Sequence, residues 1–523
     1  KAQLALSPLP IQPLMLSKLM KGDSPDMSAK SLMVLGSMSS VGKSLLVSGL
    51  CRLYGRKGWK VAPSKAQHMS NNAAICSGGE IGRAQASQAY ACGIEPTIDM
   101  NPVLLKPEAD SRSQVIVHGQ LWDACSAKDY YARRNAMWQA ITESYKNLRK
   151  QYDLIVIEGA GSAAEISLRS QDIANLAVAH HAQAPCLLVG DIDRGGIFAQ
   201  LLGTLWLLDD DDRKMIRGLV VNKFRGDMSL FTNGVTALEN RGGIPVLGVV
   251  PYIHNHGLTE EDAATIKQRY ASGSDKADIV VIHLPHISNF DDFDPLLVEP
   301  NLQIRYANRL EQLGKPTAII LPGTKNTISD LKWLNESGLA DRIRSLRRQG
   351  SGIVGLCGGF QMLGETISNE NEVESTVKNA PGLGLLPGKT HFESVKTITR
   401  SQAHIIAAGG FMKKLQGQLI QGYEIHMGQT SSPHPFCEIF RREGQPVESL
   451  DGTCSADGKI WGTYLHGIFD NDPLRMAWLA SLGIQASNTP FIEQRNKTYD
   501  LLADALEASL DLKTLDRIIT EGI

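Results

Sequence analysis

The sequence predicts an α/β protein built from two doubly wound domains. Short apolar runs rich in Val, Ile and Leu alternate with longer stretches of helical period, the pattern of a parallel sheet covered on both faces. The alternation stops in a polar stretch at residues 266–276 and then starts again. In each half, one strand runs through a glycine-bearing turn directly into a helix, at residues 36–44 and at residues 355–361.

In the first half, residues 31–35, 154–157, 186–189, 218–221 and 246–250 read as buried strands, with helical stretches at 43–56 and 129–151. In the second half, residues 278–284, 318–321 and 352–356 read as strands, followed by a strand-rich region from about 391 to 464. Tyr499, Leu502, Leu506 and Leu510 have the spacing of one helix face, so residues 495–523 read as a closing helix. The expected organisation is an extension over 1–26, a first domain over 28–265, a second over 278–475 and a helical segment over 476–523. Residues 1–26 contain Pro8, Pro10, Pro13 and Pro25, lack the layout of a secretory signal and read as a flexible extension. Met27 reads as a candidate natural start.

Composition narrows the function classes. A hydrophobic fraction of 42% with 21% charged residues is that of a folded globular chain, and 523 residues suffice for several cores. A formal net charge of −2 gives no electrostatic case for nucleic acid or an anionic membrane. No apolar run approaches the ~18 residues of a spanning helix. The eight cysteines are scattered and none has CxxC spacing, which argues against a zinc site or a disulfide framework. They read as the reduced thiols of a cytoplasmic protein.

Two segments carry chemistry. Gly36-Ser37-Met38-Ser39-Ser40-Val41-Gly42-Lys43-Ser44 follows a strand and opens a helix. The backbone N–H groups of such a loop cradle phosphates, Lys43 reaches the β- and γ-phosphates, and Ser44 is placed to ligate Mg²⁺. The leading glycine stands one residue earlier than the strict pattern requires. Residues 154–157 end in Glu158, a carboxylate at the edge where open α/β sheets bind ligands, placed to hold Mg²⁺ directly or through water. Two further strands end in Asp191-Ile192-Asp193-Arg194 and in Asn222-Lys223, so that three polar strand ends share one nucleotide site.

In the second half, Gly355-Leu356-Cys357-Gly358-Gly359-Phe360-Gln361 reads as strand, tight turn and helix. Small neighbours permit a strained elbow that exposes the thiol, the helix N-terminus favours the thiolate, and the Gly358 N–H is one oxyanion donor. Downstream, Gly462-Thr463-Tyr464-Leu465-His466-Gly467 places a histidine after a strand. Cys357 with His466 is the minimum for nucleophilic attack on an amide.

These two sites in this order resemble the cobyric acid synthase family. The likeness runs from about residue 28 to the last helix. It rests on Lys65-Ala66-Gln67-His68-Met69-Ser70, Gly79-Glu80-Ile81-Gly82-Arg83-Ala84-Gln85, Met100-Asn101-Pro102-Val103-Leu104-Leu105-Lys106-Pro107, and residues 158–162, 191–196, 222–227, 287–295, 321–327, 422–428 and 462–469. The resemblance implies an N-terminal P-loop domain similar to dethiobiotin synthetase and a C-terminal, flavodoxin-like class I glutamine amidotransferase. It implies ATP- and glutamine-dependent amidation of the b, d, e and g carboxylates of adenosylcobyrinic acid a,c-diamide. It assigns Gly42, Lys43, Ser44 and Asn222 to ATP, with Asn222 reading adenine, and Ser44 and Glu158 to Mg²⁺. Gly323 joins Gly358 in the oxyanion and glutamine site beside Cys357 and His466, and Asp193, Arg194 and Asn289 are set against the corrin. The implied partners are small molecules: a corrinoid, L-glutamine and ATP.

The sequence departs from wider patterns in three places. Class I domains usually carry Glu two residues after the histidine, where Ile468 stands; the cobyric acid synthase group shares that lack, which leaves open what orients His466. His68 replaces the usual Asn, and Ala163 the usual Pro. The runner-up is the related cobyrinic acid a,c-diamide synthase, disfavoured by the 65–70 and 78–85 segments. A partition-type ATPase is disfavoured because residues 37–41 hold no extra lysine, and a degenerate scaffold because Lys43, Cys357 and His466 are intact.

Overall fold

The computed structural model describes residues 29–109, 112–126, 133–253 and 276–522. The expected extension over 1–26, Met27 and all but the last residue of the polar break lie outside the described residues.

The first half forms a six-stranded parallel sheet. Its strands are β1 (Lys30–Gly36), β2 (Val61–Ser64), β3 (Leu154–Glu158), β4 (Cys186–Asp191), β5 (Ile216–Phe224) and β6 (Val246–Pro251), in the order β6-β5-β4-β1-β3-β2. Each expected strand of this half forms. β2 was not among them, because Val-Ala-Pro-Ser offers only four residues and a proline. Alternation along β1 divides the core. Leu32 and Val34 pack on one face with Leu46, Val47 and Leu50 of helix α1 (Lys43–Arg56), whereas Met33 and Leu35 face a second cluster. The helix expected at 129–151 is described as Arg134–Arg149. Residues 67–126 contribute a feature the sequence did not announce: a small four-stranded sheet, and beside it the hairpin Ala73–Cys76/Gly79–Gly82, which leads into helix α2 (Arg83–Ala91).

The second half builds another six-stranded sheet from β7 (Ala277–Ile282), β8 (Leu302–Ala307), β9 (Ala318–Leu321), β10 (Gly352–Leu356), β11 (Thr453–Cys454) and β12 (Ile460–Thr463). The order is β8-β7-β9-β10-β12-β11, parallel except at β11. Helices α3 (Thr327–Glu336) and α4 (Gly358–Leu363) follow β9 and β10. The strand-rich region is a separate, largely antiparallel sheet around the long pair Lys389–Ile405 and Leu419–Ser431. That sheet meets the first half: Lys396 Nζ lies 2.7 Å from Glu80, and Arg400 pairs with Glu95 at 3.1 Å and donates to the Ile75 carbonyl.

The closing helix is corrected to two, α5 (Phe491–Ser509) and α6 (Leu512–Glu521). Leu510 lies between them in extended backbone and bridges Gly248, and the Asp511 carboxylate then accepts from Thr514 N to start a new helix. Both helices return to the first half. A Cβ at Gly49 of α1 would meet Leu506 Cδ1 at 2.6 Å, Arg52 pairs with Asp500 at 2.8 Å, and Tyr54 donates to Asp516.

Candidate active site

The phosphate loop lies at the carboxyl edge of the first sheet, where β1, β3 and β4 end at Gly36, Glu158 and Asp191 and Asn222 of β5 lies beside Asp191. Gly42 has φ +94°, and a Cβ there would fall 2.3 Å from Asn222 Nδ2, so only glycine fits. Lys43 Nζ donates to the Gly161 carbonyl at 2.9 Å, folded back over the loop that a nucleotide would fill. Ser44 Oγ donates to Glu158 Oε1 at 2.9 Å. Glu158 is 1% exposed and accepts from Lys65 Nζ at 2.8 Å and from Gln88 Nε2. A hydroxyl and a carboxylate beside a phosphate loop fit Mg²⁺, which keeps water and phosphate oxygens at its other positions. Among the described residues no cluster of three or more His, Cys, Asp or Glu forms a metal cage.

Asn222 Nδ2 donates to the Val41 carbonyl at 2.7 Å and so braces the loop, and Lys223 Nζ does the same at Ser40. Beyond Asn222 lies a slot of about 30 Å³ lined by Pro251, Tyr252, Leu502 and Leu506, the last two from α5. On the other side of the loop opens a cavity of about 760 Å³. Its walls include Lys65, His68, Glu158 and Ala163, with Arg134 and Arg169 across from the phosphate loop. Asp193 and Arg194 do not line it: Asp193 pairs with Arg225 at 2.8 Å and Arg194 lies 3.6 Å from Asp191. Asn289 lies in the second half, where its amide donates to Tyr423 Oη at 3.4 Å.

In the second half, Cys357 joins β10 to α4 with φ 50° and ψ −110°, strained backbone of the kind found at functional elbows. Gly359 makes room for it, since a Cβ there would meet the Leu321 carbonyl oxygen at 2.0 Å. The Gly358 and Gly323 loops adjoin: a Cβ on Gly358 would touch Thr324 at 2.6 Å, and one on Gly323 would lie 3.0 Å from His466 Cε1. Gln361 is fixed from both ends, accepting from Thr327 Oγ1 and donating to Tyr464 Oη.

What orients His466 is Asp292. Its Oδ2 accepts from His466 Nδ1 at 2.7 Å, and its Oδ1 accepts from Gly467 N at 2.7 Å. With Nδ1 held by Asp292, the other ring nitrogen is left for the thiol of Cys357, whose Sγ lies 3.5 Å from the Ile425 carbonyl oxygen. Burial pulls the imidazole towards neutrality, but the Asp292 carboxylate and the hydrogen bonds to Asp292 and Cys357 outweigh it and hold its pKa well above the ordinary value. Tyr423 stacks on the ring with centroids 5.2 Å apart. The three side chains are placed as a nucleophile, a proton carrier and an orienting carboxylate would be. Asp292→Asn is expected to lower kcat for glutamine hydrolysis by about 10²–10⁴-fold with little change in KM, because the ring loses its tautomer; steady-state glutaminase kinetics check this.

Sequence reasoning missed Asp292, Lys65 and Gln88 as site residues. Asp292 and Lys65 lie inside the 287–295 and 65–70 segments, but neither has a fixed spacing to its partner.

Comparison with known proteins agrees with this division. Residues 32–263 match the family described as CobQ/CobB/MinD/ParA nucleotide binding domain, and residues 278–474 match CobB/CobQ-like glutamine amidotransferase domain. The chain is 48% identical to the cobyric acid synthase of Chloroflexus aurantiacus over 499 residues, 94% of this chain and 100% of that protein. It is 47% identical to that of Sorangium cellulosum over 516 residues, covering 94% and 99%. It is 45% identical to that of Dehalococcoides mccartyi over 503 residues, covering 95% and 100%. A nucleotide-binding half, an amidotransferase half and near-full-length identity of this order mean that the chain belongs to the cobyric acid synthase family of glutamine-dependent amide-forming ligases.

Proposed function

We propose that the chain amidates the b, d, e and g carboxylates of adenosylcobyrinic acid a,c-diamide, consuming one ATP and one glutamine at each. The observation that carries the reading is the pairing, in one chain, of a phosphate loop beside a large cavity with a Cys357–His466–Asp292 site, among relatives that are cobyric acid synthases. A carboxylate is a poor acyl donor. In the first half its oxygen attacks the γ-phosphorus of ATP, ADP leaves, and an acyl phosphate forms. Lys43 and the loop N–H groups hold the phosphates in line, and Asn222 is the residue assigned to adenine. Mg²⁺ held by Ser44 and Glu158 would neutralise phosphate charge. Ammonia then attacks the acyl carbon, phosphate leaves with the C–O electron pair, and loss of a proton gives the amide.

In the second half the Cys357 thiolate attacks the glutamine side-chain carbonyl, with Gly358 and Gly323 supplying oxyanion donors. His466 gives its proton to the departing nitrogen, which leaves as ammonia. The same imidazole takes a proton from water as the thioester is hydrolysed to glutamate. Of the residues set against the corrin, Asp193 and Arg194 stand at the same sheet edge as the phosphate loop and keep that role. Asn289, beside Tyr423, belongs with the glutaminase.

Mass spectrometry of the a,c-diamide incubated with enzyme, Mg-ATP and glutamine tests the reading. Each conversion of –OH to –NH₂ lowers the mass by about one unit. Four successive steps are expected. Retained glutaminase with no shift on the a,c-diamide, but two steps on unamidated cobyrinic acid, would move the chain to the a,c-diamide synthases.

A further inference from the structure

Glu374 lies on the loop between the short strands Thr366–Ser368 and Asn379–Pro381. Asn369, 0% exposed, builds that loop from inside. Its amide donates to the Ser375 and Val377 carbonyls at 2.8 and 3.1 Å, and its oxygen accepts from Val373 N at 2.8 Å. The loop so held brings the Glu374 carboxyl to the first residue of α3. There Oε2 accepts from Thr327 N at 2.8 Å, and Oε1 lies 3.4 Å from Thr327 Oγ1. The Thr327 hydroxyl also reaches Gln361 Oε1, at 2.9 Å. Gln361 stands one helical turn after Cys357, and its N–H donates to the Cys357 carbonyl. Its side-chain amide is pressed against Gly428, where a Cβ would fall 2.3 Å from Nε2. Gly428 belongs to the same strand as Ile425, whose carbonyl oxygen is 3.5 Å from Cys357 Sγ.

This arrangement is one proton short unless Glu374 supplies it. The Thr327 hydroxyl has a single proton and faces two oxygens, the Gln361 carbonyl, which can only accept, and the Glu374 carboxyl. An ionised carboxyl competes with Gln361 for that proton. A protonated one donates its own O–H to Thr327 Oγ1 and leaves the Thr327 proton to Gln361. The chain then runs in one direction: Gln361 Nε2 donates to Tyr464 Oη at 3.2 Å, Tyr464 to Thr430 at 2.7 Å and Thr430 to Thr390 at 2.7 Å. Desolvation supports the protonated form. Burial pushes the Glu374 carboxyl up to about 8 against the pull of the Thr327 and Ile328 N–H groups, and the Asp330 charge adds to the rise. Asp330 is the titratable group acting from α3 and is itself paired with His286 at 2.7 Å. Helix α4 carries no titratable side chain, and on the Glu374 loop the exposed Glu372 and Lys378 lie 4.0 Å from each other.

We propose that Glu374 is a positioning residue that works as a neutral acid: acting through Thr327, it fixes the Gln361 amide beside the Cys357 thiol, so that the glutamine pocket keeps its shape, and it releases that amide when it ionises. The inference rests on the glutaminase reading above.

The test is glutamine hydrolysis by the full-length chain from about pH 6.5 to about pH 9, a span that brackets the Glu374 ionisation, with KM and kcat read separately. In the wild type, KM is expected to rise about two- to tenfold across that span, the weight of one hydrogen bond. Glu374→Gln cannot ionise, and its Nε2 can donate to Thr327 as the acid does. Its KM is expected to stay level, while kcat keeps the wild-type pH profile. The amine of the substrate titrates alike for both chains, so the difference between the two KM profiles is the readout. Thr327→Val, which cuts the relay, should show the raised KM already at the acid end and no further rise. A merely structural contact would instead shift KM by one factor at every pH and leave its rise in place. A rise that survives Glu374→Gln, or a wild-type KM that stays level, overturns the inference alone. A wild-type chain that does not hydrolyse glutamine overturns the functional reading, and the inference with it.

Discussion

Cys357→Ala is expected to abolish amide synthesis from glutamine and to leave synthesis from ammonium salts intact. On the proposed mechanism the nucleophile has no substitute, because Cys357 is the residue at the strained turn between β10 and α4. Loss of a covalent nucleophile lowers turnover by a factor on the order of 10⁶, down to the residual catalysis of binding and the oxyanion donors. Free ammonia is expected to bypass that step, because the proposed acyl phosphate would form at the other sheet, beside Lys43 and Ser44. Parallel assays of phosphate release and product mass with each nitrogen source check the prediction. Loss of both activities in a folded variant would sink the division of labour.

Lys43→Ala is the complementary experiment, expected to remove synthesis from both nitrogen sources. Lys43 opens α1 and is 8% exposed, so in the proposed site its ammonium would meet the transferring phosphate with little water to screen it. Removing such a preorganised charge costs on the order of 10²–10³ in rate. Glutamine hydrolysis at Cys357 should persist, which separates a dead phosphate site from a misfolded chain. Normal synthesis in this variant would refute the phosphate assignment.

The chemistry was legible where it is contiguous. A phosphate loop and a cysteine elbow each need glycine at particular steps of a strand–turn–helix, so residues 36–44 and 355–361 declare themselves locally. Asp292 does not: it lies 174 residues from His466, and only the packing of the loop after β7 against the end of β12 brings them together. Glu158 was legible as a strand-end acid, but its partners Lys65 and Gln88 are 93 and 70 residues away. β8 was missed because its interior holds Arg305, a charge that reads as surface until Asp278 is found beside it. Gln67–Met69 and the hairpin strands Ala73–Cys76 and Gly79–Gly82 are too brief for period two to stand out. The stripe Tyr499, Leu502 and Leu506 announced an amphipathic helix, yet an apolar stripe does not say which surface it covers.

That surface is the first half of the chain, and this has a consequence for how the protein comes into being. Leu506, Leu510, Leu515 and Ile519 share one apolar cluster with Leu32 and Val34 of β1 and Leu50 of α1. During synthesis from the N-terminus, the phosphate-loop domain emerges first but must wait, with that flank bare, until the amidotransferase half has been made and the last two helices have left the ribosome. That flank of the first half is therefore covered only by residues translated after the amidotransferase half. Cutting the gene between the two sheets is therefore expected to leave the first half without the helices that cover this cluster.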